Sequence, residues 1–131
     1  MSDFFLKDQV IAVTGAAGGI GRAICEDLSE AGAKIVLAGR NADTLKETAD
    51  SLKIADSLIV STDITKPESV KSLLDATLAK FTRIDGLVNN AGGGSSMKKP
   101  EETPHEEWVR MIDFNLTGTF NCCIEFGKHM I

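Results

Sequence analysis

Four glycines fall within the eight residues Thr14-Gly15-Ala16-Ala17-Gly18-Gly19-Ile20-Gly21, directly after one apolar run and directly before a helix-period segment. Residues of this kind hold anions rather than move protons. Gly15 permits a tight turn, Gly19 lets the backbone come close to a pyrophosphate, and Gly21 lets the helix pack against the strand. The free N–H groups at the start of the following helix then face the anion. The same string could serve as an ordinary flexible turn. Its placement between strand and helix is what points to a dinucleotide.

A second glycine-rich turn, Asn89-Asn90-Ala91-Gly92-Gly93-Gly94, follows another apolar run and opens a polar loop through Lys98, Lys99 and Pro100. Loops at the carboxyl ends of parallel strands are where ligands sit in open sheets. Further on, Asn115 stands on the apolar stripe Trp108, Met111, Ile112, Cys122, Cys123, Phe126, at a position that would suit leucine. An amide buried there must find partners or cost a few kcal/mol. Either neighbouring backbone satisfies it as a core residue, or it serves a site. His105 and His129 read as polar residues near helix ends. Lys98-Lys99 and Glu101-Glu102 read as solvated charge.

The elements that must position these groups are legible from hydrophobic patterning. Four short continuous apolar runs, Val10–Val13, Ile35–Ala38, Leu58–Val60 and Leu87–Val88, have the look of strands covered on both faces of a parallel sheet. Helix-period segments alternate with them. The first carries Ile20, Ala23, Ile24, Leu28 and Ala31 and stops at Gly32. A weaker one runs from about Asn41 through Leu45, Ala49 and Leu52. In the third, Thr65 and Glu68 have capping-box spacing ahead of Val70, Leu73, Leu74, Leu78 and Phe81. A last helix is expected from Thr103-Pro104, with Glu106 completing a second capping box, and to continue to Ile131. Right-handed crossovers then give an α/β fold, a Rossmann-type doubly wound parallel sheet, truncated after the fourth strand and the following helix.

Residues 1–131 form one expected domain, with 43% hydrophobic and 25% charged residues and a formal net charge of −5. The acidic balance gives no positive field for nucleic acid. No apolar run approaches the roughly 18 residues of a membrane span, and Phe4-Phe5-Leu6 is too short for a signal-peptide core. The three cysteines, Cys25 and the pair Cys122-Cys123, supply neither a disulfide framework nor a metal site. A reduced, cytoplasmic setting is expected. The chain contains no tyrosine, so no phenol can act as its acid or base.

Taken together, Thr-Gly-x-x-x-Gly-x-Gly after the first strand and Asn89-Asn90-Ala91-Gly92 after the fourth resemble the short-chain dehydrogenase/reductase family. The resemblance covers essentially the whole chain but only the amino-terminal half of that family's layout. It implies an NAD(P)(H)-dependent oxidoreductase acting on an alcohol or carbonyl. The cofactor-binding residues it implies are Thr14, Gly15, Gly19, Ile20, Gly21, Arg40, Asp63, Ile64, Asn89, Ala91 and Gly92. The second run ends Ala38-Gly39-Arg40-Asn41, where a carboxylate would accept bonds from the ribose of NAD. Arg40 instead offers a fixed, forked cation suited to a 2'-phosphate, so NADP is expected over NAD. The competing reading is a solvated arginine ahead of a helix capped by Asn41. Asp63-Ile64 resembles the family's adenine-contacting pair. Asn115, in Asp113-Phe114-Asn115-Leu116, resembles its active-site asparagine, which bends the helix and holds a water in the proton relay. The family's serine, tyrosine and lysine would lie beyond Ile131. The expectation is therefore a cofactor-binding fragment, inactive alone, of a protein that assembles as a homo-oligomer. The alternative is a non-catalytic dinucleotide-binding or subunit-pairing module.

Overall fold

The computed structural model of the chain describes residues 5–54, 56–94 and 98–131. Phe4 of the short apolar run, and Ser95, Ser96 and Met97 of the polar loop, lie outside the described residues. The four apolar runs are strands: β1 (Val10–Thr14), β2 (Lys34–Gly39), β3 (Ser57–Ser61) and β4 (Gly86–Val88). They pair in parallel in the order β3-β2-β1-β4. The register sets Ile11 beside Ile35 on one flank of β1 and beside Gly86 on the other.

Successive residues of a strand point to opposite faces, and here both faces are covered, which is why the runs are continuous rather than alternating. Val10, Ala12, Val36 and Ala38 pack with Val70, Leu73, Cys122 and Phe126 on one side. Ile11, Val13, Ile35 and Leu37 pack with Cys25, Leu45 and Ala49 on the other. The first layer contains helix α3 (Pro67–Phe81) and α5 (Gly118–Met130), and the second contains α1 (Gly19–Glu30) and α2 (Ala42–Ser51). The sheet is thus doubly wound, as its sequence pattern predicts.

The helices depart from expectation at their surfaces and ends. In α1 the inward face is Gly21, Ile24, Cys25 and Leu28, while Ile20 is 73% exposed and Ala23 is exposed. The helix does stop at Gly32, whose φ of +93° suits glycine. Neither capping box forms. The helices begin one residue later than the boxes require, with Lys66 and Pro104 at the N-cap positions and no side-chain cap at either, and the Thr65 and Thr103 hydroxyls donate instead to Asp63 Oδ1 and the Lys99 carbonyl. Asn41 does cap α2, accepting from the N–H groups of Asp43 and Thr44.

Past a 3-10 turn at Pro100–Glu102, α4 (His105–Ile112) leads through a π-helical turn, Asp113–Thr117, into α5. The expected inward stripe of this long helix is only partly realised. Cys122 and Phe126 are buried, but Trp108 is 56% exposed and Cys123 is also exposed. No helix among the described residues is long and apolar enough to cross a membrane.

Candidate functional site

A cleft of about 1040 Å³ opens at the carboxyl ends of the strands. Its walls come from the β1–α1 turn, the ends of β2 and β3, the turn after β4, and the α4–π-turn segment. Its floor is stitched by Thr14, the last residue of β1, which is 1% exposed. The Thr14 Oγ1 accepts from the N–H groups of Asn90 and Ala91 at 3.1 and 3.0 Å. In return the Asn90 Nδ2 donates to the carbonyls of Thr14 and Gly15, both at 3.1 Å. The two glycine-rich turns are therefore one unit, tied through a strand end.

The glycines have distinct reasons to be glycine. Gly15 has φ +65°, and a Cβ there would sit 2.9 Å from the Ala91 Cα. A Cβ on Gly21 would lie 2.1 Å from the Gly15 carbonyl oxygen, closer than any real contact. At Gly19 a Cβ would meet nothing within 4 Å, although the residue lines the cleft. Its missing side chain leaves room for something other than protein. Gly18 precedes α1 with no side-chain cap. First-turn N–H groups have no helical carbonyl to bind, and here they belong to residues on the cleft wall.

Arg40 follows β2 at the rim, exposed, with its guanidinium carbon 5.3 Å from the centroid of the Phe114 ring. Asp63 accepts from the Thr65 hydroxyl at 2.7 Å and the Thr65 N–H at 3.0 Å. The Thr65 hydroxyl is the main cause that holds this carboxyl below the ordinary carboxylate value, helped by its N–H, Lys66 and Arg40 against some desolvation. Ile64 is buried. Its carbonyl accepts from Asn121 Nδ2 at 2.9 Å, and its side chain occupies the space that a Cβ on Gly118 would need.

Asn115 is exposed on the cleft wall rather than buried in an apolar stripe. Its amide is nonetheless fully engaged. Oδ1 accepts from the Gly93 N–H at 3.1 Å, while Nδ2 donates to the carbonyls of Gly93 and Met111 at 2.9 and 3.0 Å. A Cβ on Gly92 would come 2.9 Å from that Oδ1, so a larger residue there would push the amide off these partners. The Met111 carbonyl lies one turn before Asn115, at the entry to the π turn. An amide bonding back to this backbone is the kind of insertion that accompanies such bulges.

Of the residues marked by sequence, Thr14, Gly15, Gly19, Ile20, Gly21, Arg40, Asp63, Ile64, Ala91, Gly92 and Asn115 all line the cleft. Asn89 does not; its Nδ2 donates to Cys123 Sγ at 3.2 Å. The cleft also includes Thr62, Asn90, His105, Arg110 and Phe114, which sequence reasoning did not nominate. Asn90 stood inside the quoted motif and could have been found there. Phe114 reaches the cleft from the π turn and had no sequence signal. Burial raises the thiols of Cys25 and Cys122 to about 11, leaving them unreactive.

A doubly wound parallel sheet with a glycine-lined cleft at its carboxyl edge defines a Rossmann-like nucleotide-fold domain. The family model for short chain dehydrogenases matches residues 9–131, and the chain belongs to that family of oxidoreductases. It is 43% identical over 114 residues to an uncharacterized oxidoreductase of Staphylococcus aureus, covering 87% of this chain and 49% of that protein. It is 36% identical over 129 residues to the NAD-dependent glycerol dehydrogenase of Listeria innocua, covering 98% and 50%. Among solved structures, NAD+-bound xylitol dehydrogenase superposes with a TM-score of 0.92 at 30% identity, over 96% of this chain and 49% of that one. The 3-ketoacyl-(acyl-carrier-protein) reductase of Brucella melitensis, complexed with NADH, gives 0.90 at 31%, over 95% and 51%. The chain spans about half the length of the relatives it matches.

Proposed function

We propose that the 131 residues are a single, partial dinucleotide-binding domain of an NAD(P)(H)-dependent short-chain oxidoreductase that acts on an alcohol or carbonyl. The observation that carries this reading is the glycine cradle. Gly21 is compelled by contact with Gly15, whereas Gly19 faces open space on the cleft wall, as a backbone approached by a pyrophosphate should. The residues thus fit a nicotinamide dinucleotide. When bound, it would supply the hydride that passes to or from the substrate carbon.

Thr14, Gly15, Gly19, Ile20, Gly21, Ala91 and Gly92 would form the cradle, whereas the amide of the nearby Asn89 turns to Cys123 instead. Asp63 and Ile64 would meet the adenine. Asn115, held by Gly93 and Met111, would be the one catalytic-site residue this stretch contributes. The family's proton donor is a tyrosine, and the chain has none, so the chain by itself is expected to be inactive. The intact protein is expected to be a cytoplasmic homo-oligomer.

Arg40 at the rim supports NADP(H) over NAD(H), even though three of the similar proteins are described with NAD, as NAD-dependent, NAD+-bound or complexed with NADH. The test is an equilibrium titration of the intact gene product, wild type and Arg40→Ala, with NADP+ and NAD+. Wild type is expected to bind NADP+ about tenfold tighter, as one charge-assisted contact allows, and Arg40→Ala to erase that preference. Equal affinities in wild type would overturn the NADP assignment.

The exposed apolar face of Trp108, Leu116, Phe120 and Ile124 favours one second reading, a binding or subunit-pairing module without turnover. NADPH bound tightly but not consumed by the intact gene product, across a panel of carbonyls, would support it.

A further inference from the structure

Arg40 and Phe114 approach from opposite flanks of the cleft, one at the end of β2 and the other in the π turn, and meet with 5.3 Å between the guanidinium carbon and the ring centroid. That separation lies within the reach of a cation–π contact. The ring is itself seated. Part of it packs on the core layer of α3 and α5, and its Cε1 stands where a Cβ on Gly93 would come within 3.3 Å. The Asp63 carboxylate adds a second attraction on the guanidinium from the end of β3. An exposed arginine ordinarily samples many rotamers; this one has a π face against it and a carboxylate within electrostatic range. Phe114 and Asn115, both in the π turn, stand together on the cleft wall.

We propose that Phe114 is a positioning residue for cofactor selection: its ring holds the Arg40 guanidinium at the cleft rim, in place for the extra phosphate of a 2'-phosphorylated dinucleotide. The inference rests on the reading that the cleft takes such a dinucleotide and that Arg40 faces its 2'-phosphate. A cation ordered beforehand loses less freedom on binding than one that must be ordered by the ligand. Phe114 therefore acts on NADP+ through Arg40, and on NAD+ hardly at all.

The experiment is calorimetric titration of the intact gene product with NADP+ and with NAD+, for wild type, Phe114→Leu, Phe114→Trp, Arg40→Ala and the Arg40→Ala/Phe114→Leu double variant. Phe114→Leu is expected to weaken NADP+ about three- to fivefold, the range of an exposed cation–π contact, and to leave NAD+ unchanged. Phe114→Trp keeps the wild-type preference, and in the Arg40→Ala background Phe114→Leu adds nothing. Phe114→Met replaces Phe114→Leu should the latter not fold.

An equal loss for both dinucleotides would overturn the proposal in favour of simple adenosine packing. An equal gain would overturn it by showing the contact to be an obstruction, and so would an unchanged NADP+ affinity or a penalty that persists without Arg40. Wild type with no preference for NADP+ would remove the underlying reading and this inference with it. Wild type that discriminates through Arg40 while Phe114→Leu is silent would remove this inference alone.

Discussion

The Thr14 hydroxyl accepts two backbone N–H groups from the turn after β4, and the side chain is buried at the end of the central strand. Replacing it with valine keeps the shape and removes the acceptor, leaving the Ala91 N–H without its partner while the Asn90 N–H keeps the Val88 carbonyl at 3.1 Å. Thr14→Val is expected to cost about 1–3 kcal/mol of stability, the desolvation penalty of a buried unsatisfied group. Thr14→Ser should cost much less, and urea melts of the two variants would separate the hydroxyl from the methyl. At this scale the sequence was informative about glycines, whose roles are steric and local, and about Arg40, whose charge does not depend on context. It was uninformative about amide partners. Asn115 reads as an intruder in an apolar stripe because nothing in the sequence announces that the Gly93 backbone will come to meet it. Asn89 and Asn90 are adjacent and chemically identical, yet only Asn90 lies on the cleft wall.

The strands were the most legible elements, since burial on both faces writes itself as continuous apolar runs, and β1 to β4 coincide with those runs to within a residue or two. The helix starts were less so. Thr65 and Thr103 have the right spacing for capping boxes, but α3 and α4 begin one residue later, so Lys66 and Pro104 take the N-cap positions. The π turn left no mark in the hydrophobic pattern, and only the resemblance, which implies that Asn115 bends its helix, pointed to an irregularity there. Between elements, β4 is pinned to β1 by Asp85, whose Oδ2 accepts from the Val10 N–H at 2.8 Å while the carboxylate pairs with Arg83. Arg83 is the main cause that lowers the Asp85 carboxyl below its ordinary 3.8, with the Val10 N–H assisting and burial opposing; the Thr65 hydroxyl does the same for Asp63. Such a group takes up its proton in the unfolded chain first. Its contribution is complete above pH 3.8 and is lost as pH falls through the lowered folded value. The stability gap between wild type and Asp85→Asn should accordingly narrow below pH 3.8, measured by urea melts across pH 7 to about 2. A gap that stays constant over that range would contradict the assignment.

At the scale of the whole molecule, the order β3-β2-β1-β4 leaves β4 paired on one side only, by β1, among the described residues. On α4, the π turn and α5, Trp108, Leu116, Phe120 and Ile124 stand exposed at intervals of helical spacing. An open strand edge and an apolar face both favour association. The 131-residue chain on its own is therefore expected to sediment as oligomers or aggregates and to melt with poor cooperativity. A compact, cooperatively melting monomer in sedimentation velocity and calorimetry would contradict this. The doubly wound topology was foreseeable from alternation and handedness alone. The shape of the cleft was not, because it depends on how four loops from distant parts of the chain meet at one sheet edge.

The central claim is that the cleft holds a nicotinamide dinucleotide against a backbone kept bare at Gly19. A Cβ there meets no protein atom within 4 Å, so the fold should accept a side chain while the cleft should not. The decisive measurement is calorimetric titration of the intact gene product and its Gly19→Leu variant with NADPH and NADH, with matched melting temperatures as the control for folding. Saturable binding of one dinucleotide per chain in wild type, lost in Gly19→Leu at unchanged stability, is the predicted result. Binding of neither dinucleotide by wild type, or equal binding by a folded Gly19→Leu, would contradict it.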